Sequence, residues 1–404
     1  MKWFKNIGPA TLVTAAFIGP GTVTLCTVAG TQFGYSLLWA MLFSILATIV
    51  LQEMAARIGL VSGKGLAAYI RDEVGHPITK LLALGLIVSA IAIGNLAYEA
   101  GNITGAMLGI KIFYVEGRTL SPESTVNFIN LFIGALAFLF LLGGSYKTLQ
   151  KILLVAVVLM SLSFLMTALV TRPSLIEVFQ GLLLPSVSSD NLLMVVSLIG
   201  TTIVPYNLFL HSSLVKQKWT DTSRLKEVQS DTVTAVAVGG IVSLSIIVCA
   251  ARLQGMDVKN ATDLALALEP LFGNFSKYFL AVGLFSAGLS SAITAPFAAA
   301  IVVGECFGWP PDFKSWRFRF VWMFILLAGT IFSTFGIEPV ALIKFAQIIN
   351  GLLLPIATGL VLWAMNNTRS MKGFRNSPFQ NIIGVTVFVI TLFLGSKSIV
   401  LLLL

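Results

Sequence analysis

A proline between two glycines interrupts the first apolar segment of the chain, in the run Ala15-Ala16-Phe17-Ile18-Gly19-Pro20-Gly21-Thr22-Val23-Thr24. Proline removes one helical hydrogen bond and clashes with the preceding turn, and the flanking glycines lower the cost of unwinding. A second proline lies in the middle of another apolar segment, in the run Gly200-Thr201-Thr202-Ile203-Val204-Pro205-Tyr206-Asn207-Leu208. We therefore predict two helices that are broken near their middles.

The composition of the 404 residues places both breaks inside a membrane. Hydrophobic residues make up 57% of the chain and charged residues only 11%, whereas soluble domains carry about 25% charged residues. In a bilayer every backbone polar group must be satisfied internally, which a helix achieves within one segment. We predict an all-α integral membrane protein with about 11 transmembrane helices of about 20 residues or more. They are placed at 8–31, 34–61, 78–109, 126–143, 148–170, 189–215, 229–252, 275–305, 317–336, 339–366 and 379–403.

The basic residues predict the orientation of these spans. With a cytoplasmic N-terminus, 18 of the 26 Lys and Arg residues fall on inner segments, as the positive-inside rule requires. We therefore predict a multi-pass protein of the cell membrane (inner or plasma), with the N-terminus inside and the C-terminus outside. We attribute the net charge of +9 to this excess of basic residues on the inner segments. The expected partner is therefore membrane lipid, and no nucleic-acid partner is expected. A monomer is expected.

The two breaks occupy corresponding positions in two five-helix halves. The chain is predicted to be a single transmembrane transporter domain over 1–404, with a first repeat at about 8–170, a second at about 189–366 and an extra helix at about 379–403. Interrupted helices at matching positions of two repeats indicate a transport site at the repeat interface. An enzyme is not expected, because no triad, phosphate loop or metal-ligand cluster lies in the aqueous segments.

Several motifs resemble those of the Nramp family of metal-ion transporters. The matching stretches are Leu51-Gln52-Glu53-Met54-Ala55-Ala56-Arg57-Ile58-Gly59-Leu60-Val61-Ser62-Gly63, Pro205-Tyr206-Asn207-Leu208-Phe209-Leu210-His211-Ser212, Gly288-Leu289-Ser290-Ser291-Ala292-Ile293-Thr294, and Gln347 with Pro355. The resemblance implies a LeuT-type fold with a five-plus-five inverted repeat that works by alternating access.

The chain departs from this family where the family binds its metal. The family's Asp-Pro-Gly-Asn motif reads Gly19-Pro20-Gly21-Thr22, so the metal-binding carboxylate is absent. Val204 replaces the family's methionine and Tyr206 replaces its histidine. A first shell without carboxylate, thioether or imidazole is a poor site for a transition metal. We therefore do not expect transport of Mn²⁺ or Fe²⁺.

The altered site favours a small anion. Two helix N-termini, near Thr22 and Tyr206, present free N–H groups and partial positive charge with no carboxylate to offset them. No Lys or Arg is evident there, so a small monovalent oxyanion fits, with bicarbonate as the leading candidate and nitrate-like or carboxylate anions behind it. The predicted substrate-binding residues are Gly19, Pro20, Gly21, Thr22, Thr24, Thr201, Val204, Tyr206, Asn207, Gln347 and Asn350.

An anion that enters a negative-inside cell needs a driving ion. The LeuT-type resemblance implies a sodium site made by Ala16, Phe17 and Gly19 together with Ser290, Ser291 and Thr294. Na⁺-coupled symport is therefore the main hypothesis, and no other cofactor is expected. Asn95, Glu99 and His211 form a candidate proton or ion relay. The alternatives are an Nramp-type importer of a divalent cation such as Mg²⁺ and a transport-inactive sensor or channel.

Overall fold

The computed structural model describes residues 18–114, 122–143, 147–310, 312–371 and 373–403. Helices dominate these ranges and no strand occurs in them, which confirms the all-α prediction. The longer helices are α1 (Pro20–Phe33), α2 (Leu38–Ser62), α3 (Leu66–Glu73), α4 (Pro77–Tyr114), α5 (Pro122–Gly143), α6 (Lys147–Val170), α7 (Leu175–Leu183), α8 (Leu192–Thr202), α9 (Pro205–Lys218), α10 (Leu225–Ala251), α11 (Ala261–Ala265), α12 (Glu269–Phe272), α13 (Ser276–Phe307), α14 (Trp316–Phe332), α15 (Pro339–Met365) and α16 (Pro378–Leu403).

Helix length and composition mark the protein as membrane-spanning. Eight segments of the described chain are long and apolar enough to cross a bilayer: Leu38–Ser62, Pro77–Phe113, Lys151–Val170, Leu192–Lys218, Thr222–Ala251, Ala261–Phe307, Pro339–Met365 and Pro378–Val400. The predicted spans at 126–143 and 317–336 correspond to shorter helical stretches, Asn127–Gly143 and α14. Residues 1–17, which include the first part of the predicted span 8–31, lie outside the described residues.

Short helices, among them α3 and α7, occupy segments that the prediction left as connections. α3 has 8 residues and α7 has 9, so neither is long enough to register as a span. The hydroxyl of Ser174 accepts a hydrogen bond from the backbone N–H of Glu177 and thereby caps the start of α7. Both helices lie between the predicted membrane segments.

The 38-residue helix α4 packs along α13 and α15. Small residues allow the backbones to approach closely. A Cβ atom at Gly288 would lie 2.7 Å from the Cβ of Ala106 on α4, and one at Gly109 would meet the carbonyl oxygen of Ala281 on α13. Such small-residue contacts are typical of helix packing in membranes, where close van der Waals contact replaces the hydrophobic effect.

Ion pairs cluster at the end of the bundle that the charge bias predicts to be cytoplasmic, called here the inner end. Glu53 pairs with Arg57 at 2.6 Å within α2, and its other oxygen accepts from Gln229 of α10 at 2.8 Å. Glu305, near the end of α13, accepts from Lys216 and Ser213 of α9 at 2.8 Å each. The Glu305 contacts therefore join α9, which follows the second proline break, to the continuous helix α13.

Replacing Glu305 is expected to loosen this junction. In Glu305→Gln the partly buried Lys216 ammonium loses its anionic partner, which is worth about 1–3 kcal/mol between the exposed and buried limits for ion pairs. The measurement is the thermal midpoint of the purified protein in detergent. Glu227→Gln is the matched control, because Glu227 pairs with Arg224 on an exposed surface within one segment. Equal midpoints for the two variants would contradict a role for Glu305 in holding α9 to α13.

Candidate functional site

The first predicted break lies at Gly19 and Pro20, directly after Ile18, the first described residue. Gly19 is extended, with φ −100° and ψ −176°, and Pro20 is the first residue of α1. Proline suits this place because the first helical N–H has no intrahelical acceptor. No side chain caps α1. Gly21, Thr22 and Thr24, in the first turns of α1, are buried.

The second break lies at Ile203 and Val204. α8 ends at Thr202, Val204 is extended with φ −82° and ψ 124°, and α9 begins at Pro205 without a side-chain cap. Tyr206 and Asn207 therefore lie in the first turn of α9. The structure confirms the predicted break in this helix and repeats the arrangement of a proline at the start of an uncapped helix.

Helix α15 brings the two breaks together. The hydroxyls of Thr22 on α1 and Thr201 on α8 are 3.0 Å apart. A Cβ at Gly21 would collide with the amide nitrogen of Gln347, and one at Gly200 would collide with the Gln347 carbonyl oxygen. The amide of Asn350 donates to the side-chain oxygen of Gln347 at 3.2 Å. We call this region, the first turns of α1 and α9, the last turn of α8, and Gln347 with Asn350, the break site.

Several buried polar atoms around the break site have no hydrogen-bond partner within the described residues. They include the hydroxyls of Thr24 and Tyr206 and both amide atoms of Asn207. These three side chains are at most 2% exposed. Buried polar atoms in native proteins nearly always have a partner, which is water or a ligand where the protein supplies none. The break site therefore has unused capacity for a polar ligand.

The side chains of the break site are uncharged. Thr22, Thr24, Thr201, Tyr206, Asn207, Gln347 and Asn350 carry neither acid nor base. Residues 1–17, which lie outside the described part, hold no Asp or Glu, and the first acidic residue of the whole chain is Glu53. No group of three or more His, Cys, Asp or Glu side chains suited to a metal ion occurs in the described ranges.

The structure gives the predicted relay residues different neighbours. His211 contacts Gln52 of α2, with 2.8 Å between the ring Nδ1 and the amide oxygen. Glu99 lies against α14, where a Cβ at Gly329 would fall 2.6 Å from its Cγ. Neither carboxylate oxygen of Glu99 has a hydrogen-bond partner among the described residues, and the amide of Asn95 has none there either. The structure thus places Glu99 and His211 on different helix interfaces.

The described part of the predicted sodium site consists of Gly19 at the start of α1 and the hydroxyls of Ser290, Ser291 and Thr294 on α13. Thr294 donates to the carbonyl oxygen of Ser290 at 2.8 Å, which leaves the lone pairs of its hydroxyl available. Ser291 is 2% exposed, whereas Ser290 and Thr294 are half-buried. Ala16 and Phe17 lie outside the described residues, so their carbonyls have no described position, and this site stays a prediction.

Sequence reasoning assigned no role to Tyr98 of α4. Its ring centroid is 5.6 Å from that of Tyr206, with the rings tilted by 56°, and it is 3% exposed. The hydrophobic periodicity of α4 gave no indication of its role. This helix is apolar on nearly all sides, so its sequence does not reveal which face meets the break site.

The family model described as "Natural resistance-associated macrophage protein-like" (Nramp) matches residues 10–401. The chain belongs to the Nramp family. This membership confirms the resemblance read from the motifs, and it confirms that the protein is a membrane transporter and not an enzyme.

Curated Nramp relatives are similar over nearly the whole chain. The divalent metal cation transporter MntH of Erwinia tasmaniensis is 25% identical over 405 residues, covering 98% of this chain and 94% of the relative. MntH of Bacillus subtilis is 24% identical over 394 residues, covering 95% and 89%. These names describe divalent cation transporters, so they favour the divalent-cation alternative and lend no support to bicarbonate.

Solved structures confirm the LeuT-type fold. A crystal structure of the Eremococcus coleocola manganese transporter aligns with a TM-score of 0.77 at 19% identity, covering 98% of this chain and 87% of that one. MHP1, a nucleobase-cation-symport-1 family transporter, aligns with a TM-score of 0.61 at 14% identity, covering 98% and 91%. At such identities these alignments concern the fold alone.

Proposed function

We propose that this Nramp-family transporter carries a small monovalent oxyanion, with bicarbonate as the first candidate, through the break site. The observation that carries this proposal is that the uncapped start of α1 meets the end of α8 at the Thr22–Thr201 contact, and only Ile203 and Val204 separate that end from the uncapped start of α9. No acidic side chain is among the break-site residues. Because Glu53 is the first acidic residue of the chain, the part before residue 18 cannot supply the missing carboxylate.

The electrostatics of this arrangement favour negative charge. Each helix N-terminus carries free N–H groups and roughly half a positive elementary charge. The hydroxyls of Thr24 and Tyr206 and the amide of Asn207 add neutral donors that lack partners among the described residues. A monovalent anion there exchanges water for hydrogen bonds, whereas a doubly charged anion has no Lys or Arg in the break site to balance it.

A divalent cation is the second candidate, and the names of the curated relatives favour it. Such an ion would have to use neutral oxygens, from Thr22, Thr201, Asn207 and Gln347. Mg²⁺ suits this set better than Mn²⁺ or Fe²⁺, because it dehydrates reluctantly and keeps several waters in its shell. The opposing factor is the positive field of two helix ends with no carboxylate to offset it.

Flux measurements in liposomes separate the two candidates. The purified protein is reconstituted, and bicarbonate uptake is followed by internal pH, with Mn²⁺ and Mg²⁺ uptake measured in parallel. Alkalinisation without metal flux supports the oxyanion. Metal uptake without alkalinisation overturns it and supports the divalent cation. If the protein binds bicarbonate or a metal ion but transports neither, the result supports the transport-inactive sensor.

Sodium is proposed as the coupling ion, at the hydroxyls of Ser290, Ser291 and Thr294. In Thr294→Ala one candidate ligand is lost. The Na⁺ concentration for half-maximal uptake is therefore expected to rise about tenfold, because one ligand contributes about 1.4 kcal/mol to the binding free energy of Na⁺. The measurement is initial uptake against external Na⁺. Thr391→Ala is the matched control, because Thr391 makes the same bond to the carbonyl four residues earlier, on α16. Uptake that does not depend on Na⁺ in the wild type contradicts the coupling.

A further inference from the structure

One face of α4 lies against the break site and consists mainly of glycine. A Cβ at Gly94 would lie 3.3 Å from the side-chain oxygen of Asn350, and one at Gly101 would lie 3.3 Å from the Cβ of Ala346. A Cβ at Gly105 would collide with the ring of Pro20 at the first break. Positions 94, 98, 101 and 105 follow the spacing of a single helix face.

Tyr98 is the one member of this glycine face that has a side chain. It follows Gly94 by four residues and precedes Gly101 by three, so it lies on the same face of α4. Its ring meets the ring of Tyr206, the second residue of α9, at 5.6 Å between centroids.

A second observation shows that this face borders a polar site. The hydroxyl of Tyr206 is buried in a residue 2% exposed and makes no hydrogen bond within the described residues. The amide of Asn207, which follows it, is in the same condition. These hydrogen-bonding groups lie close to the phenol of Tyr98. They can bind a polar ligand at the point where α4, α9 and the first break meet.

We propose that Tyr98 is a substrate-binding residue, whose hydroxyl donates to an oxygen of the transported ion and works together with Tyr206. This proposal rests on the oxyanion function proposed above and adds a specificity element to it. Two phenols favour a ligand with hydrogen-bond-accepting oxygens over a bare cation, because a phenol is a good donor and a weak metal ligand.

The test is the transport kinetics of Tyr98→Phe in liposomes, with bicarbonate as the probe. The ring stays and only the hydroxyl is removed, so folding is expected to be preserved. A hydrogen bond to a charged ligand is typically worth enough for a 10- to 100-fold change, so KM for bicarbonate is expected to rise at least about tenfold. The maximal rate should change by less than about threefold. Tyr206→Phe is expected to behave in the same way.

Tyr278→Phe is the matched control. Tyr278 lies at the start of α13 and packs on Phe113, away from both breaks, so its KM should equal that of the wild type. If Tyr98→Phe has the same KM for bicarbonate as the wild type, the role of Tyr98 is overturned. Bicarbonate flux through the wild-type protein would still support the oxyanion function in that case. If the wild type moves Mg²⁺ and no bicarbonate, the oxyanion function itself is overturned, and the Tyr98 proposal falls with it.

Discussion

Thr22→Asp is expected to abolish bicarbonate uptake. The new carboxylate would lie beside Thr201 at the start of α1, where the hydroxyls are now 3.0 Å apart. Two like charges about 5 Å apart at an effective dielectric constant of about 20 repel by about 3 kcal/mol, which lowers anion affinity on the order of 100-fold. The carboxylate also takes up the positive field of the helix ends.

The same variant should gain affinity for a divalent cation, because an anionic oxygen ligand becomes available at the break site. Bicarbonate flux, Mg²⁺ flux and Mn²⁺ flux are measured on one liposome preparation. Thr22→Asn is the matched control, since its amide is similar in size and adds no charge, and it should retain most of the anion flux. Undiminished bicarbonate uptake in Thr22→Asp would mean that the anion does not bind at the break site.

Thr22→Asp also discriminates between the two candidate functions. If the wild type is a divalent cation transporter on neutral ligands, the added carboxylate strengthens cation binding and leaves a transporter of the same substrate class. If the wild type carries an oxyanion, the variant loses its substrate. The sign of the change in flux of the wild-type substrate therefore reports the charge of that substrate.

Gly200→Ala is expected to destabilise the whole protein. Its Cβ would collide with the carbonyl oxygen of Gln347 and lie 2.6 Å from the backbone nitrogen of Gly351. Both are backbone atoms of α15, so no side chain can swing away and α8 must move from α15. Overpacking of this kind costs about 1–3 kcal/mol. The measurement is the thermal midpoint in detergent, together with uptake at matched protein density.

Gly395→Ala on α16 is the control for this substitution. Its Cβ would lie 3.7 Å from a methyl group of Leu352, an ordinary contact. Alanine has the better helix propensity by about 1 kcal/mol, so this variant should melt at the wild-type temperature or above. A Gly200→Ala protein as stable as Gly395→Ala would contradict the close approach of α8 and α15.

Proline placement and the lack of acidic residues made the outline of the break site predictable from the sequence. The residues at Pro20 and Pro205 are local signals, because a proline disrupts a helix wherever it stands inside one. The neutral character of the break site also follows from the chain alone, since no acid precedes Glu53. The convergence of Thr22, Thr201 and Gln347 was anticipated as a set but not as contacts.

Other parts of the site were not predictable. The candidate relay grouped Glu99 with His211, yet the first faces α14 and the second faces α2. Glu99 lies on α4, which is apolar over most of its surface, and His211 lies on α9, whose residues 205–213 are all buried, so sequence gives little indication of which way either side chain points. Tyr98 was passed over for the same reason, although it directly precedes Glu99.

The sequence by itself determined that the chain is a helical membrane protein with breaks at Pro20 and Pro205 and an uncharged site between them. Composition, proline placement and the absence of acids are properties of the chain that no packing can change. Only the tertiary structure decided which face of α4 meets the breaks, that Tyr98 lies against Tyr206, and that Glu99 packs on α14 while His211 contacts Gln52 of α2. The physical reason is that in a bilayer both lipid-facing and buried helix faces are apolar, so side-chain direction is set by helix–helix contact and not by the hydrophobic pattern.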